Sequence, residues 1–331
     1  MNKWNLGRPL RIFSTPWHIG AQRELIESLP DVEWSYIINH TRKWSLDIRP
    51  SPKNLRWVTH FEPDYYDLVL LHTDQQLAIE ELGKSRLFFD LEKVTRDTVP
   101  RIVQNHGTPI YPEKFAPSYL KNFFKDIYKR FDAIVVNSHQ ARKEWGFGET
   151  IIHGLKGGEW FDLPKEPRVI TFISPAGIGD KYYNRKLLIA TKDILKEDYG
   201  IQHIWLCQDT PNFRSWEEYK TFLGESLIYF NPTYGSPMPR TRTEAMLSGC
   251  CIVTTKYHDA DTFIKDGENG FLVKNNPETC ARLISDLILN RYKECIEIGQ
   301  EGKKTAKKVF SRERFSDNWV DIINRVINNG N

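Results

Sequence analysis

The sequence predicts an α/β protein made of two Rossmann-like halves, each alternating parallel strands with helices. Three observations carry this. The chain has 331 residues, long for a single hydrophobic core. Short apolar β-type runs alternate with helix-length amphipathic stretches up to about residue 155, and the alternation restarts at Arg168. Between the two series lies Glu159 to Pro167, acidic and holding two prolines, which reads as a linker. The expected division is 1–160 and 161–311, followed by a last helix.

Composition narrows the function. Net charge is +3, so bulk nucleic-acid binding has no support. The five cysteines, at 207, 250, 251, 280 and 295, are odd in number and lack metal-site spacing; they read as reduced thiols. Met1 to Arg11 carries no apolar signal segment. No apolar run approaches the roughly twenty residues that span a bilayer. A cytoplasmic setting is the expectation.

In the first half, Arg8 to Thr15 is a strand, Pro16 to Gly20 a turn and Ala21 to Leu29 a helix. A small residue in that turn, Gly20, lets the backbone approach a ligand. His18 beside it is a turn residue or a site residue. Val32 to Ile38 is the second strand, and 40–64 an irregular connection with a short strand at Leu55 to Thr59. Asp67 to His72 is a strand, Asp74 to Leu82 a helix, and Arg86 to Asp90 another short strand with Asp90 and Glu92 at its end. Arg101 to Gln104 follows, ending in Asn105-His106-Gly107. Lys114 to Phe131 is a helix with an apolar stripe of Leu120, Phe123, Phe124, Ile127 and Phe131 and a basic row of Lys121, Lys125 and Lys129. The stripe covers a sheet with the lysines in water, or the basic row faces a membrane surface. Asp132 to Ser138, a helix at Gln140 to Trp145, and the run Ile151 to Leu155 complete this half.

The second half opens with strand Arg168 to Ser174 and a glycine loop, Gly177-Ile178-Gly179-Asp180-Lys181. Helix Asn184 to Glu197, strand His203 to Cys207 and helix Ser215 to Leu223 follow. Residues 227–273 then form a βαβ unit. Leu227 to Phe230 is a strand and Tyr234 to Pro239 a Gly/Pro turn. A helix from Arg240 to Ser248 is bounded by Pro239 and Gly249, and Cys250 to Thr255 is the next strand. Ligands of such units lie beyond the strand ends, near the helix N-terminus, where free N–H groups favour phosphate. Arg240 and Glu244 are four apart, on one helical face. They are a nucleotide grip or a solvated surface ion pair.

Glu244-Ala-Met-Leu-Ser-Gly249 and Asp266-Gly-Glu-Asn-Gly-Phe-Leu-Val273 resemble family 4 of the GT-B glycosyltransferases, the group 1 family. The resemblance runs strongly over 227–273 and in outline elsewhere. It implies two parallel-sheet domains facing across a cleft, with the last helix, from Arg312, crossing back to the N-terminal domain. It implies a nucleotide-sugar donor, no obligatory metal or other cofactor, and retention of anomeric configuration. The acceptor would be a glycan, a lipid-linked glycan or a small molecule. Glu244 inherits the ribose contact, and Arg240 a diphosphate contact shared with Lys181, Arg185 or Lys186 near Gly177. His106 inherits a place facing the donor sugar, and His18 and Gly20 a place at the acceptor cleft. The pattern departs at Ser236, which stands where the family has a first glutamate, and at Pro237-Met238-Pro239 in place of Gly-Phe-Gly. Two prolines supply no N–H, so the sugar subsite around Ser236 and Met238 is built differently. An inverting enzyme with Asp90, Glu92 or His18 as base, or a non-catalytic binding domain, are the alternatives. Asp259-Ala-Asp261 matches the metal-binding Asp-x-Asp of the GT-A fold, but it precedes a short helix, Thr262 to Lys265, and Asp261 reads as its N-cap.

Overall fold

A computed structural model describes residues 4, 6–38, 49–78, 83–109, 116–173, 183–206, 213, 215–233, 235, 238–257 and 259–329. The chain divides into two compact units, Met1–Gly154 with Arg312–Asn331, and Leu155–Ser311.

Unit 1 holds seven strands: β1 Leu10–Ser14, β2 Val32–Ile37, β3 Leu55–Val58, β4 Leu68–Thr73, β5 Arg101–Asn105, β6 Ala133–Val136 and β7 Glu149–Thr150. All are parallel, in the order β3-β2-β1-β4-β5-β6-β7. Its helices are α1 Ile19–Ser28, α2 Gly83–Val94, α3 Pro117–Tyr128, α4 His139–Trp145 and the chain's last helix, Arg312–Asn329. Strand residues alternate between two buried faces, as a covered parallel sheet requires. Leu10, Ile12, Leu68, Leu70 and Ile102 join α1 and the last helix in one core. Phe13, Val69, Leu71 and Val103 join α2, α3 and α4 in the other. Phe315, Trp319, Ile322, Ile323 and Val326 supply the last helix's face of the first core. Arg312 Nη2 bonds Glu27 Oε2 at 2.8 Å, and Ser316 Oγ bonds Ser28 O at 2.9 Å, seating that helix on α1.

Unit 2 holds β8 Glu166–Phe172, β9 His203–Leu206, β10 Ser226–Asn231, β11 Cys251–Thr255 and β12 Phe271–Val273. They form a parallel sheet in the order β12-β11-β10-β8-β9. Its helices are α5 Arg185–Tyr199, α6 Trp216–Glu225, α7 Arg240–Leu247, α8 Ala260–Phe263, α9 Pro277–Leu289 and α10 Tyr292–Val309; the last helix of the chain is α11. Local sequence explains the ends. Ser215 Oγ caps α6 by accepting from Glu218 N at 3.1 Å, and Asn276 caps α9 by accepting from Thr279 N at 2.7 Å. Gly249 closes α7 with φ +74, where a Cβ would lie 2.6 Å from Asp162 Oδ1. Gly299 lets α10 lie against that turn: its Cβ would fall 2.5 Å from Gly249 O.

Each sheet reverses its strand order once, between β1 and β4 in unit 1 and between β8 and β10 in unit 2. Open parallel sheets bind ligands outside the carboxyl ends at such points.

Several expectations are corrected. Arg86 to Asp90 is not a strand but lies within α2, where Phe88 and Leu91 bury at helical spacing. Five residues of apolar bias fit either period, and the helix that covers the sheet won. Asp90 is therefore an exposed helix residue 3.8 Å from Arg86. Glu92 is a buried ion-pair residue, 2.7 Å from Arg96 and 3.5 Å from both Arg101 and Arg130. Burial pushes the Glu92 carboxyl up, but the three arginines outweigh it and hold it below the usual range. Neither acid stands at a strand end as a base would. Gly20 lies in the first turn of α1 rather than in the loop before it. The helix after β11 starts at Ala260, so Asp261 is in its first turn; the cap position is Asp259, at φ 55 with no side-chain cap bond. The pairing strand at the edge of unit 1 is Glu149–Thr150, ahead of the expected run at 151–155. A 3-10 turn, Gln75–Ala78, occupies the start of the expected helix after β4.

Candidate functional site

In unit 2 the strand ends converge on the N-terminus of α7. The loop after β8, with Gly177 and Lys181, lies outside the described residues, as does Ser236. Asn231 ends β10. Its Oδ1 accepts from Thr233 Oγ1 at 3.1 Å and Thr254 Oγ1 at 3.3 Å, and its Nδ2 is buried with no hydrogen bond. Asn184 holds the start of α5 to the same place, donating to Pro232 O at 3.0 Å and Asn275 Oδ1 at 2.8 Å. Arg185, the next residue, is the first of α5 and half-buried; Lys186 is exposed.

Helix α7 has no solvent face in its second half: Arg242 to Leu247 are all buried. Met238, buried at φ +28, leads into it through Pro239. Arg242 Nη2 lies 3.3 Å from Met238 Sδ, and its guanidinium sits 5.1 Å from the centre of the Phe263 ring. Burial pulls this guanidinium down to about 10, against the opposing charge of Asp259.

Arg240 and Glu244 meet as their spacing predicts, Arg240 Nε donating to Glu244 Oε1 at 2.9 Å. The pair is no solvated surface bridge: Glu244 is wholly buried and the Arg240 side chain 9% exposed. Tyr219 OH, from α6, donates to Glu244 Oε2 at 2.6 Å. A carboxylate has about four acceptor positions. Donors on both oxygens fix its orientation. In the metal-binding Asp-x-Asp reading the two acids would have to converge, but Asp259 is buried and Asp261 exposed.

In unit 1, three histidines gather where the strand order reverses. His18 follows β1, His72 ends β4 and His106 follows β5. His72 Nδ1 and His106 Nε2 are 3.0 Å apart. The His18 ring lies nearly parallel to that of His106, centroids 5.6 Å apart. The turn carrying His18 is locked by Gln22, whose Oε1 accepts from Trp17 N at 2.7 Å and His18 N at 3.0 Å while its Nε2 donates to Thr15 O at 2.7 Å. Burial pulls the His72 imidazole down to about 3, and the neighbouring charge of His18 adds to this.

Residues 192–305 match the family model described as Glycosyl transferases group 1. Over that segment the chain is similar to the group 1 glycosyltransferases. An uncharacterised glycosyltransferase of Methanocaldococcus jannaschii is 33% identical over 103 residues, 30% of this chain and 26% of that protein. The match thus spans about a quarter of the relative's length. Solved structures resemble nearly the whole chain, two of them as follows. Anabaena HepE, in complex with UDP and glucose, superposes with a TM-score of 0.70 at 13% identity, covering 96% of this chain and all 100% of that one. Sucrose-phosphate synthase of Thermosynechococcus elongatus gives 0.70 at 12% identity, covering 97% and 100%. The fold is GT-B.

The structure brings Arg240, Glu244 and Met238 together at one helix start, with Arg185 at the start of α5. It also brings His18 and His106 together, with Gly20 in the turn after His18. Sequence reasoning missed Tyr219, Asn184, Arg242 and His72. His72 had a readable signal, since it ends the apolar run Asp67 to His72 much as His106 follows the run ending at Gln104.

Proposed function

We propose that this chain moves a sugar from a nucleoside-diphosphate sugar to an acceptor hydroxyl, with retention at the anomeric carbon and without an obligatory metal. What supports this most is the Glu244 carboxylate, buried and oriented by Arg240 and Tyr219 at the start of α7, inside the segment that matches the group 1 family. Glu244 takes the ribose hydroxyls of the donor. Arg240 and Arg185, with Lys181 and the amides around Gly177, neutralise the diphosphate. Ser236 and Met238 border the sugar end, where side chains replace the amides that prolines cannot offer. In the reaction the bond between the anomeric carbon and the diphosphate oxygen breaks, and one to the acceptor oxygen forms on the same face. The acceptor proton passes to the departing diphosphate, so no protein base is required. The chain supplies positioning and fixed charge. For the acceptor, His18 and Gly20 of unit 1 are the proposed contacts.

The donor to try first carries UDP, the nucleotide bound by HepE. The acceptor is a glycan, a lipid-linked glycan or a small molecule, met in the cytoplasm. A lipid-linked acceptor would suit α3, where Lys125 and Lys129 are exposed while Leu120, Phe124 and Ile127 bury into the core. No helix among the described residues is long and apolar enough to cross a membrane.

The test is saturation-transfer NMR against a panel of nucleotide sugars with EDTA present. Binding of one nucleotide class that disappears in Glu244→Ala supports the reading. A folded protein that binds none of them is a non-catalytic GT-B domain. An inverted product anomer would select the inverting alternative, with His18 as its remaining base.

A further inference from the structure

Four side chains at the ends of β4, β5 and β6 form a directed hydrogen-bond chain. Gln104 Nε2 donates to Asn137 Oδ1 at 3.1 Å. Asn137 Nδ2 lies 3.2 Å from His106 Nδ1, and His106 Nε2 lies 3.0 Å from His72 Nδ1. Gln104, the register partner of His72, turns back toward it and favours its proton, although His72 Nε2 is buried without a full hydrogen bond.

An amide nitrogen has only hydrogens to offer. His106 Nδ1 therefore accepts, its proton sits on Nε2, and that proton is donated to His72 Nδ1. The order Gln104 to Asn137 to His106 to His72 thus runs donor to acceptor at every step. In this direction both imidazoles are neutral and both nitrogens of His106 are engaged. An added proton would set one N–H against another, and burial opposes it further, since His106 is 7% exposed and His72 not at all. Among the described residues, the titratable groups facing the pair are His18, after β1, and, beyond Thr73, Asp74 and Tyr128 of α3, whose hydroxyl approaches Thr73 and Asn105. Asp74 is itself held by Trp17 Nε1 at 3.2 Å. Of the three rings, His18's is the exposed one.

We propose that His106 is a positioning residue, kept neutral by Gln104, Asn137 and His72, and that His18, seated along its ring, is the histidine that meets the acceptor hydroxyl. His106 orients His18 and offers no N–H of its own to the donor sugar. The acceptor role of His18 rests on the transferase reading above; the fixed protonation of His106 does not.

The test begins with imidazole 15N NMR of the full wild-type chain from pH 5 to 8. An N–H···N hydrogen bond couples its two nitrogens through the bond, so the His72–His106 pair identifies itself without a variant. The expected result is one coupled, neutral, non-titrating pair, unchanged in His18→Gln. A coupled pair that titrates in this window, or no coupled pair, overturns the positioning role. The second arm measures UDP-glucose turnover against methyl glucoside concentration. His18→Gln is expected to raise the methyl glucoside KM about tenfold and to flatten the pH profile, with donor saturation transfer unchanged. An unchanged KM and pH profile would overturn the acceptor role. Absence of turnover in the wild type would overturn the transferase reading and that role together, with the coupling alone then deciding the ring assignment.

Discussion

Glu244→Gln isolates charge from shape at the start of α7. Glu244 is wholly buried, and its oxygens accept from Arg240 Nε at 2.9 Å and Tyr219 OH at 2.6 Å. The amide keeps the volume and one carbonyl acceptor, so one of the two bonds can survive. The N–H then faces the Tyr219 hydroxyl, which must turn from donor to acceptor, and the 9% exposed guanidinium of Arg240 loses the charge of this carboxylate. Breaking a buried ion pair from one side costs about 3–5 kcal/mol, and a hydrogen bond to a charged group is worth about 1.5–3 kcal/mol. With one bond retained, about 3 kcal/mol is expected. For a domain of this size that lowers the melting temperature by roughly 6–12 °C. Calorimetry should show the shift in the transition of unit 2, and saturation transfer from UDP-glucose should vanish while the protein is still folded. Tyr219→Phe should lose about 1.5–3 kcal/mol yet keep nucleotide binding, because Arg240 still orients the carboxylate. If Glu244→Gln melts and binds like the wild type, the carboxylate is neither charged in place nor part of a nucleotide grip.

Three further outcomes are expected. His72 is held near a pKa of about 3 against an unfolded value of about 6.5, so its neutral burial contributes fully above pH 6.5. That contribution falls by about 1.4 kcal/mol per pH unit as pH drops toward 3. Urea midpoints from pH 6.5 to 4.5 should therefore fall less in His72→Gln than in the wild type, and parallel curves would contradict the burial argument. Gly299→Ala would set a Cβ 2.5 Å from Gly249 O and 3.1 Å from Cys251 N, so overpacking should cost about 1–3 kcal/mol or more, read as a lower urea midpoint for unit 2. Trp319→Ala empties the centre of the first core of unit 1 and should cost about 3–5 kcal/mol, lowering that unit's calorimetric transition while leaving nucleotide binding to unit 2 intact.

The strand–helix alternation was legible because both sheets are covered on both faces. Their strands are continuous apolar runs, and helices such as α3 and α11 show single apolar stripes. Arg86 to Asp90 was misread because five residues cannot distinguish a period of two from one of 3.6. Gly20 and Asp261 slipped because helix starts without a side-chain cap leave no local mark; neither α1 nor α8 has one. Arg240 and Glu244 could be paired from spacing alone. Their burial could not, because it depends on Tyr219, brought in by a helix 25 residues earlier in the chain. The directed chain through Gln104, Asn137 and His72 joins three strands, and its residues align only once the parallel register is known.

The core of unit 1 is closed by α11, residues 312–329, although 155–311 form the other unit. The order in which the ribosome delivers the chain therefore inverts the order in which the units can finish. Unit 2 has all of its strands and helices once Ser311 has been made, and a parallel bridge between Leu155 and Ser311 brings its two ends together. Unit 1 begins first but must wait, its apolar faces on α1 and β1 uncovered, until Trp319 and its neighbours emerge. During synthesis the N-terminal segment is thus the aggregation-prone client and the inserted unit the early folder. A stop codon near residue 311 would leave a complete unit 2 attached to an unfinished sheet.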